Sequence, residues 1–180
     1  AAGIDVSCEV TINHLHLTDK DIGFFNAHAR LDPPLRSQND RDALREGLAS
    51  GAINALISDH TPVDDDAKQM PFEEAEPGAT GLELLLPLTL KWALEMKLPL
   101  VTALARVTSD PARILGVKAG NLALGTAADI CIFDPASEFL VSRENLKSQG
   151  KNTPFLGQRL PGRVRYTLID GHLAFDGTLN

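Results

Sequence analysis

Asp59 and His60 follow the apolar run Ile53-Asn54-Ala55-Leu56-Ile57 after a single Ser58. A carboxylate presented where a buried strand ends can bind one divalent metal ion. It can also take the proton of an attacking water. The same Asp, close before Pro62, could equally cap a turn, and the local sequence leaves both readings open. His14 and His16 stand two residues apart, the spacing that aims two side chains to one side of a strand. The run Asp64-Asp65-Asp66 is better explained as a solvated acidic loop than as a metal site. No glycine-rich phosphate cradle and no serine nucleophile elbow occurs in the chain.

Groups of this kind need strands and helices to hold them. Residues 5–12 have strand character, with Val6, Val10 and Ile12 β-branched. Thr18-Asp19-Lys20-Asp21 carries helix-start chemistry, and residues 27–38 form a loop around Pro33-Pro34. Residues 39–50 predict a helix with Asn39 as N-cap and Gly51 closing it. A second strand over 53–58 follows after a very short link. Residues 59–80 predict a long polar loop, a length that usually signals function in a compact domain. Leu82, Leu85, Leu86, Leu90 and Trp92 recur at helical spacing, so 80–97 predicts a helix with a kink or late start at Pro87. A helix over 99–108 opens at Pro99, and a shorter one after Asp110-Pro111 ends at Gly116.

From Gly120 the pattern turns to short strands. Ile130-Cys131-Ile132-Phe133 reads as one, and 164–169 with 172–175 reads as a hairpin turning at Asp170-Gly171 in type I′ geometry. Residues 1–119 therefore read as α/β and residues 120–180 as a small β-module.

The 180 residues are 43 % hydrophobic with a net charge of −7. That balance fits a soluble, cytoplasmic protein and argues against nucleic acid or an anionic membrane as partner. No apolar run is long enough for a transmembrane helix. Ala1-Ala2-Gly3-Ile4-Asp5 lacks the basic and apolar regions of a signal peptide and reads as a chain entering mid-domain. Cys8 and Cys131 are far apart in β-prone surroundings and are expected to be buried free thiols.

Several motifs occur in a fixed order: Asp32-Pro33-Pro34-Leu35-Arg36, Asp40-Arg41-Asp42-Ala43-Leu44, Ser58-Asp59-His60, Phe72, Glu76-Pro77-Gly78-Ala79-Thr80-Gly81, Glu83 and Leu86-Pro87-Leu88. Gly120-Asn121-Leu122 with Gly125, Ala128 and Asp129 follows, then Asn152-Thr153-Pro154-Phe155 with Gly157. Together they resemble the C-terminal half of a dihydroorotase of the cyclic amidohydrolase superfamily.

The resemblance implies an α/β fold: the C-terminal part of a metal-dependent hydrolase (β/α)8 barrel, strands seven and eight, over 1–119, and a β-sandwich segment over 120–180. Strands one to six would lie outside this sequence. Asp59 matches the strand-eight aspartate that binds metal and acts in catalysis. The metal implied is zinc, one or two ions, whose remaining ligands are expected in the missing N-terminal part. His60 is expected to stand behind the ligands or to pack, because consecutive strand residues point to opposite sides and Asp59 and His60 cannot both line the barrel mouth. His14 is expected to do the same, since the family's paired metal histidines lie on strand one.

Asp32, Val63, Pro77 and Gly78 fall where the family touches substrate. Two of them depart from its pattern. Asp32 replaces an Asn and would set a negative charge near an anionic substrate. Val63 replaces a His that helps hold the substrate carboxylate.

The activity implied for the intact protein is interconversion of dihydroorotate and N-carbamoyl-L-aspartate in pyrimidine biosynthesis, by an oligomeric enzyme. These 180 residues alone are expected to be inactive. The alternatives are a catalytically silent dihydroorotase-like subunit supporting aspartate carbamoyltransferase, or a related hydantoinase- or allantoinase-like hydrolase. The Asp32–Arg36 motif and the loop 78–81 favour dihydroorotase over those relatives.

Overall fold

The computed structural model describes residues 4–178. Strand β1 (Glu9–Thr11) runs directly into a short helix α1 (Ile12–His16). The sequence predicts strand through residue 12, but Thr11 caps the helix instead, its hydroxyl accepting from the His14 N–H at 3.2 Å. Helix α2 (Gln38–Ser50) follows. Its N-cap is Ser37 and not Asn39, because Ser37 and Asp40 form a reciprocal capping box that fixes the start two residues earlier. Gly51 closes the helix as predicted. Strand β2 (Ala55–Ile57) then pairs in parallel with β1, Val10 opposite Leu56. Parallel neighbours require such a helical crossover.

After β2 the chain makes its long excursion, then a 3₁₀ turn at Leu82–Leu84 leads into α3 (Leu85–Met96). Pro87 lies in the first turn of α3, where its missing N–H costs nothing, so the helix starts late as predicted. Helices α4 (Leu100–Ala105) and α5 (Ser109–Leu115) are shorter than or shifted from their predicted spans, and α5 ends at Gly116. Arg106 ties this pair to the strands. It donates to the Leu48 carbonyl at 2.9 Å, pairs with Asp110 at 2.7 Å, and its own carbonyl accepts from the Leu56 N–H.

The C-terminal region is an antiparallel sheet in the order β3 (Ile130–Leu140), β4 (Arg159–Ile169), β5 (His172–Asp176). The β4–β5 turn has Asp170 and Gly171 at φ 49° and 79°, the type I′ geometry expected. Both β3 and β4 run further than the sequence suggests, and β3 passes through Pro135. An edge strand tolerates that missing N–H. Cys131 lies on β3 and is exposed, as is Cys8 beside β1. The expectation of buried thiols fails: Cys8 lies just before β1, and Cys131 stands on a strand that pairs only with β4 among the described residues, so neither side chain is enclosed.

One core joins the two regions. Ile12, Leu15, Leu48, Leu84, Leu88 and Trp92 pack with Val141, Leu146, Phe155 and Leu160. His16 sits at this junction. Its Nε2–H donates to the Leu88 carbonyl at 2.9 Å, and its ring meets Phe155 edge-on. Burial, aided by nearby Lys91, pushes its pKa down to about 4.

The excursion 59–80, read from sequence as a polar loop, is stitched down by Asn152, which is fully buried. Its Oδ1 accepts from the Val63 N–H at 2.9 Å and the Thr80 hydroxyl at 3.0 Å. Its Nδ2 donates to the carbonyls of Thr61 at 3.0 Å and Gly78 at 3.2 Å. Amide nitrogens only donate and carbonyls only accept, so these neighbours fix which end of the side chain is oxygen. The Asn152 carbonyl also accepts from the Thr80 N–H at 2.7 Å.

Two outcomes follow for the intact protein. Asn152→Ala strands buried donors and acceptors and should cost about 3 kcal/mol or more by urea denaturation. Asn152→Asp should cost nearly as much, since it cannot donate to Thr61 and Gly78; a neutral effect of either would contradict the role given to the amide. His16 is depressed in the fold, so the unfolded chain binds its proton first as pH falls below 6.5. Stability should therefore drop by about 2 kcal/mol between pH 7 and 5, and His16→Gln should remove that part of the pH dependence.

Candidate active site

The C-terminal ends of β1 and β2 lie together, and the chain leaves β2 through Ser58 and Asp59. Asp59 is half-buried with φ 48°. That left-handed backbone is one that Asp and Asn adopt more readily than other non-glycine residues. The strand ends at Ile57, so Asp59 and His60 do not alternate as strand neighbours would, and the alternation argument for His60 does not apply.

His60 instead turns its Nδ1 to the N–H groups of Gly81 and Leu82, both at 3.2 Å. It thereby caps the 3₁₀ turn, and its neutral ring carries the proton on Nε2. Gly81 must be glycine here, because a Cβ would lie 2.4 Å from the Ser58 carbonyl. Residues 60 and 79 form an isolated parallel bridge, and the Thr61 N–H donates to the Ala79 carbonyl at 2.8 Å. The excursion thus leaves β2 and returns alongside it.

His14 is buried at the end of β1. Its Nε2–H donates to the Pro33 carbonyl at 3.0 Å, while Nδ1 accepts from the Thr11 hydroxyl at 2.8 Å. This ties the loop bearing Asp32 to the end of β1. Asp32 is exposed and precedes a cis peptide bond to Pro33. His16 turns away toward α3, so the two histidines do not converge.

Val63 is buried, its N–H spent on Asn152. Gly78 (φ 127°) packs against Thr61, where a Cβ would fall 2.6 Å from the side chain. Its N–H donates to the Arg30 carbonyl at 3.0 Å. Pro77 beside it is half-buried. Asp64, Asp65 and Asp66 are exposed, and Asp65 pairs with Arg143.

Two cations that the sequence reading passed over hold the excursion from its other side. Lys68 is only 6 % exposed, and its ammonium donates to the carbonyls of Glu76 at 2.6 Å, Ala27 at 3.1 Å and Arg30 at 3.4 Å. Burial, with Arg30 close by, pulls its pKa down to about 8. Arg30 donates to the carbonyls of Ala75 and, at 3.0 Å, of Glu73. His28 is half-buried, with an Nδ1 that has no partner among the described residues. Lys68 gave no sequence signal inside a polar stretch. Asn152 stood in a motif that resembled the family's, with no role attached.

Asp59 alone does not make a metal site. Among the described residues no three His, Cys, Asp or Glu side chains converge, and zinc ordinarily takes three or four protein ligands. The residues present fit a shared site, to which this chain would bring one carboxylate. No helix among them is long and apolar enough to cross a membrane.

Comparison with known proteins gives the family of the chain. A "Dihydroorotase-like protein" of Pseudomonas aeruginosa is 46 % identical over 98 % of this chain and 42 % of its own length. A "Dihydroorotase" of Geobacter sp. is 39 % identical over 97 % of this chain and 41 % of its own. The solved L-hydantoinase (dihydropyrimidinase) of Arthrobacter aurescens superposes with a TM-score of 0.89 at 29 % identity, over 97 % of this chain and 40 % of that one. The chain thus spans about two fifths of the length of the curated relatives it matches. The family model for the amidohydrolase family matches residues 5–174, taking in β1, β2, Asp59 and the terminal hairpin, and the chain belongs to that family.

Proposed function

We propose that the intact protein carrying this chain is a dihydroorotase-type hydrolase that opens and closes a cyclic amide, interconverting dihydroorotate and N-carbamoyl-L-aspartate. The observation that carries this is Asp59, half-buried at the C-terminal end of one of two parallel strands, in a chain similar to dihydroorotases over nearly all its residues. In this reading 1–119 are the end of a (β/α)8 barrel, β1 and β2 its seventh and eighth strands, and 120–180 a β-sandwich segment.

Asp59 would give one carboxylate to a divalent metal, zinc for preference, completed by ligands outside these residues. The metal would supply a Lewis acid. The proposed proton work belongs to Asp59: its carboxylate accepts the proton of the attacking water and returns it to the ring nitrogen as the C–N bond breaks. His14 and His60 hold the two loops around it, and Asp32, Val63, Pro77 and Gly78 form the substrate side.

A second reading, a catalytically silent subunit that supports aspartate carbamoyltransferase, draws on two of those residues. Asp32 is an exposed charge and Val63 a buried apolar side chain, so neither offers a donor to a substrate carboxylate.

Asp59→Asn keeps the left-handed backbone acceptable and removes the proton acceptor. Turnover of dihydroorotate by the intact protein should fall about 10³-fold, with the melting temperature little changed. Turnover at the wild-type rate would refute the role of Asp59. Asp32→Asn should lower KM for dihydroorotate about tenfold by removing a like charge. If wild type and Asp32→Asn are both inactive while the protein co-elutes with the carbamoyltransferase at micromolar concentration, the silent-subunit reading replaces the enzyme.

A further inference from the structure

The excursion 59–80 is held on one side by Asn152 and on the other by Lys68 and Arg30, and the second attachment reaches a different part of the chain. Lys68 lies near the middle of the excursion, in a short 3₁₀ turn at Asp66–Lys68. Its ammonium bridges the carbonyl of Glu76, within the excursion, to those of Ala27 and Arg30, outside it. Arg30 answers in the opposite direction, its guanidinium reaching the carbonyls of Glu73 and Ala75. The Arg30 carbonyl also receives the Gly78 N–H. Segments 27–30 and 68–78 are therefore cross-linked by a lysine from one and an arginine from the other.

A cation is a costly way to fill a buried position. A Leu or Met would serve if only volume were needed. Lys68 is instead satisfied by main-chain oxygens, so what it secures is the path of two backbones. Those backbones continue directly into the segments bearing Asp32 and Pro77-Gly78. The Asp32 loop is pinned at its far end by His14 on the Pro33 carbonyl. Gly78 is pinned at its far side by Asn152.

We infer that Lys68 and Arg30 are positioning residues, a two-cation clasp that joins the Asp32 segment to the Pro77-Gly78 segment so that both are presented to substrate as one unit. This rests on the proposed reading that those segments face substrate; the clasp itself rests on the hydrogen bonds alone. Loosening it should weaken substrate binding and leave the chemistry at Asp59 largely untouched.

The test uses the intact protein with three variants: Lys68→Met, Arg30→Met and Arg30→Lys. Hydrogen–deuterium exchange over residues 73–80 reads the clasp without reference to activity. Both Met variants should raise exchange there about tenfold, the scale of one or two net hydrogen bonds, while Arg30→Lys keeps most of the protection. With dihydroorotate, both Met variants should raise KM about tenfold and change kcat by less than about threefold, a split that general loss of fold would not give.

Wild-type exchange in both Met variants would overturn the clasp, whatever the kinetics. Raised exchange with unchanged KM would overturn the positioning role. If the wild-type protein does not turn over dihydroorotate, the proposed function fails separately. The exchange arm then still decides the clasp, upholding it if only Arg30→Lys is protected and overturning it if all three variants match wild type.

Discussion

The buried amide of Asn152 is the interaction on which the candidate site depends. It comes from a segment that packs in the same core as Ile12 and Trp92, and it reaches across to the chain that has just left β2. Both outgoing and returning strands of the excursion hang on it, through Thr61 and Val63 on one side and Gly78 and Thr80 on the other. A side-chain amide offers acceptor and donor in a fixed plane, and here both ends are matched. Without it, a stretch of polar backbone would enter the interior with nothing to bond.

Much of this architecture can be read from local chemistry. The apolar stretch before Asp59, the Asp170-Gly171 turn, Gly51 and Gly116 as helix ends, and Pro87 near the start of α3 all depend on residues close in sequence. The departures are local too. Ser37 took the cap from Asn39 because Asp40 completes its box, and Thr11 turned the end of a predicted strand into helix α1. What the sequence could not show were contacts made by distant chain. Asn152 meets Thr61 across 91 residues and Lys68 meets Ala27 across 41. Neither leaves a periodic trace, and a lone Lys in a polar stretch is ordinarily solvated. The exposure of Cys8 and Cys131 is of the same kind, since it depends on which distant elements pack over them.

In the proposed reading one carboxylate does the chemistry, and the residues around it hold the path of the chain. Asp59 sits in a left-handed turn after β2. His60 caps the next helical turn, and Gly81 allows that turn to lie against the Ser58 carbonyl. His14 fastens the Asp32 loop to the neighbouring strand. The histidines that look most like ligands in the sequence are thus spent on carbonyls and amide hydrogens. The chain belongs to the amidohydrolase family, and in the proposed reading Asp32 and Val63 are the two substrate-side residues that depart from the dihydroorotase pattern.

The most direct test of the account is the position of the metal itself. Anomalous diffraction at the zinc edge from crystals of the intact protein would locate it without assuming any activity. A zinc ion about 2.0–2.2 Å from an Asp59 carboxylate oxygen, with its other ligands from residues outside this chain segment, is the predicted result. A fully ligated zinc elsewhere, with Asp59 free of it, would contradict the account.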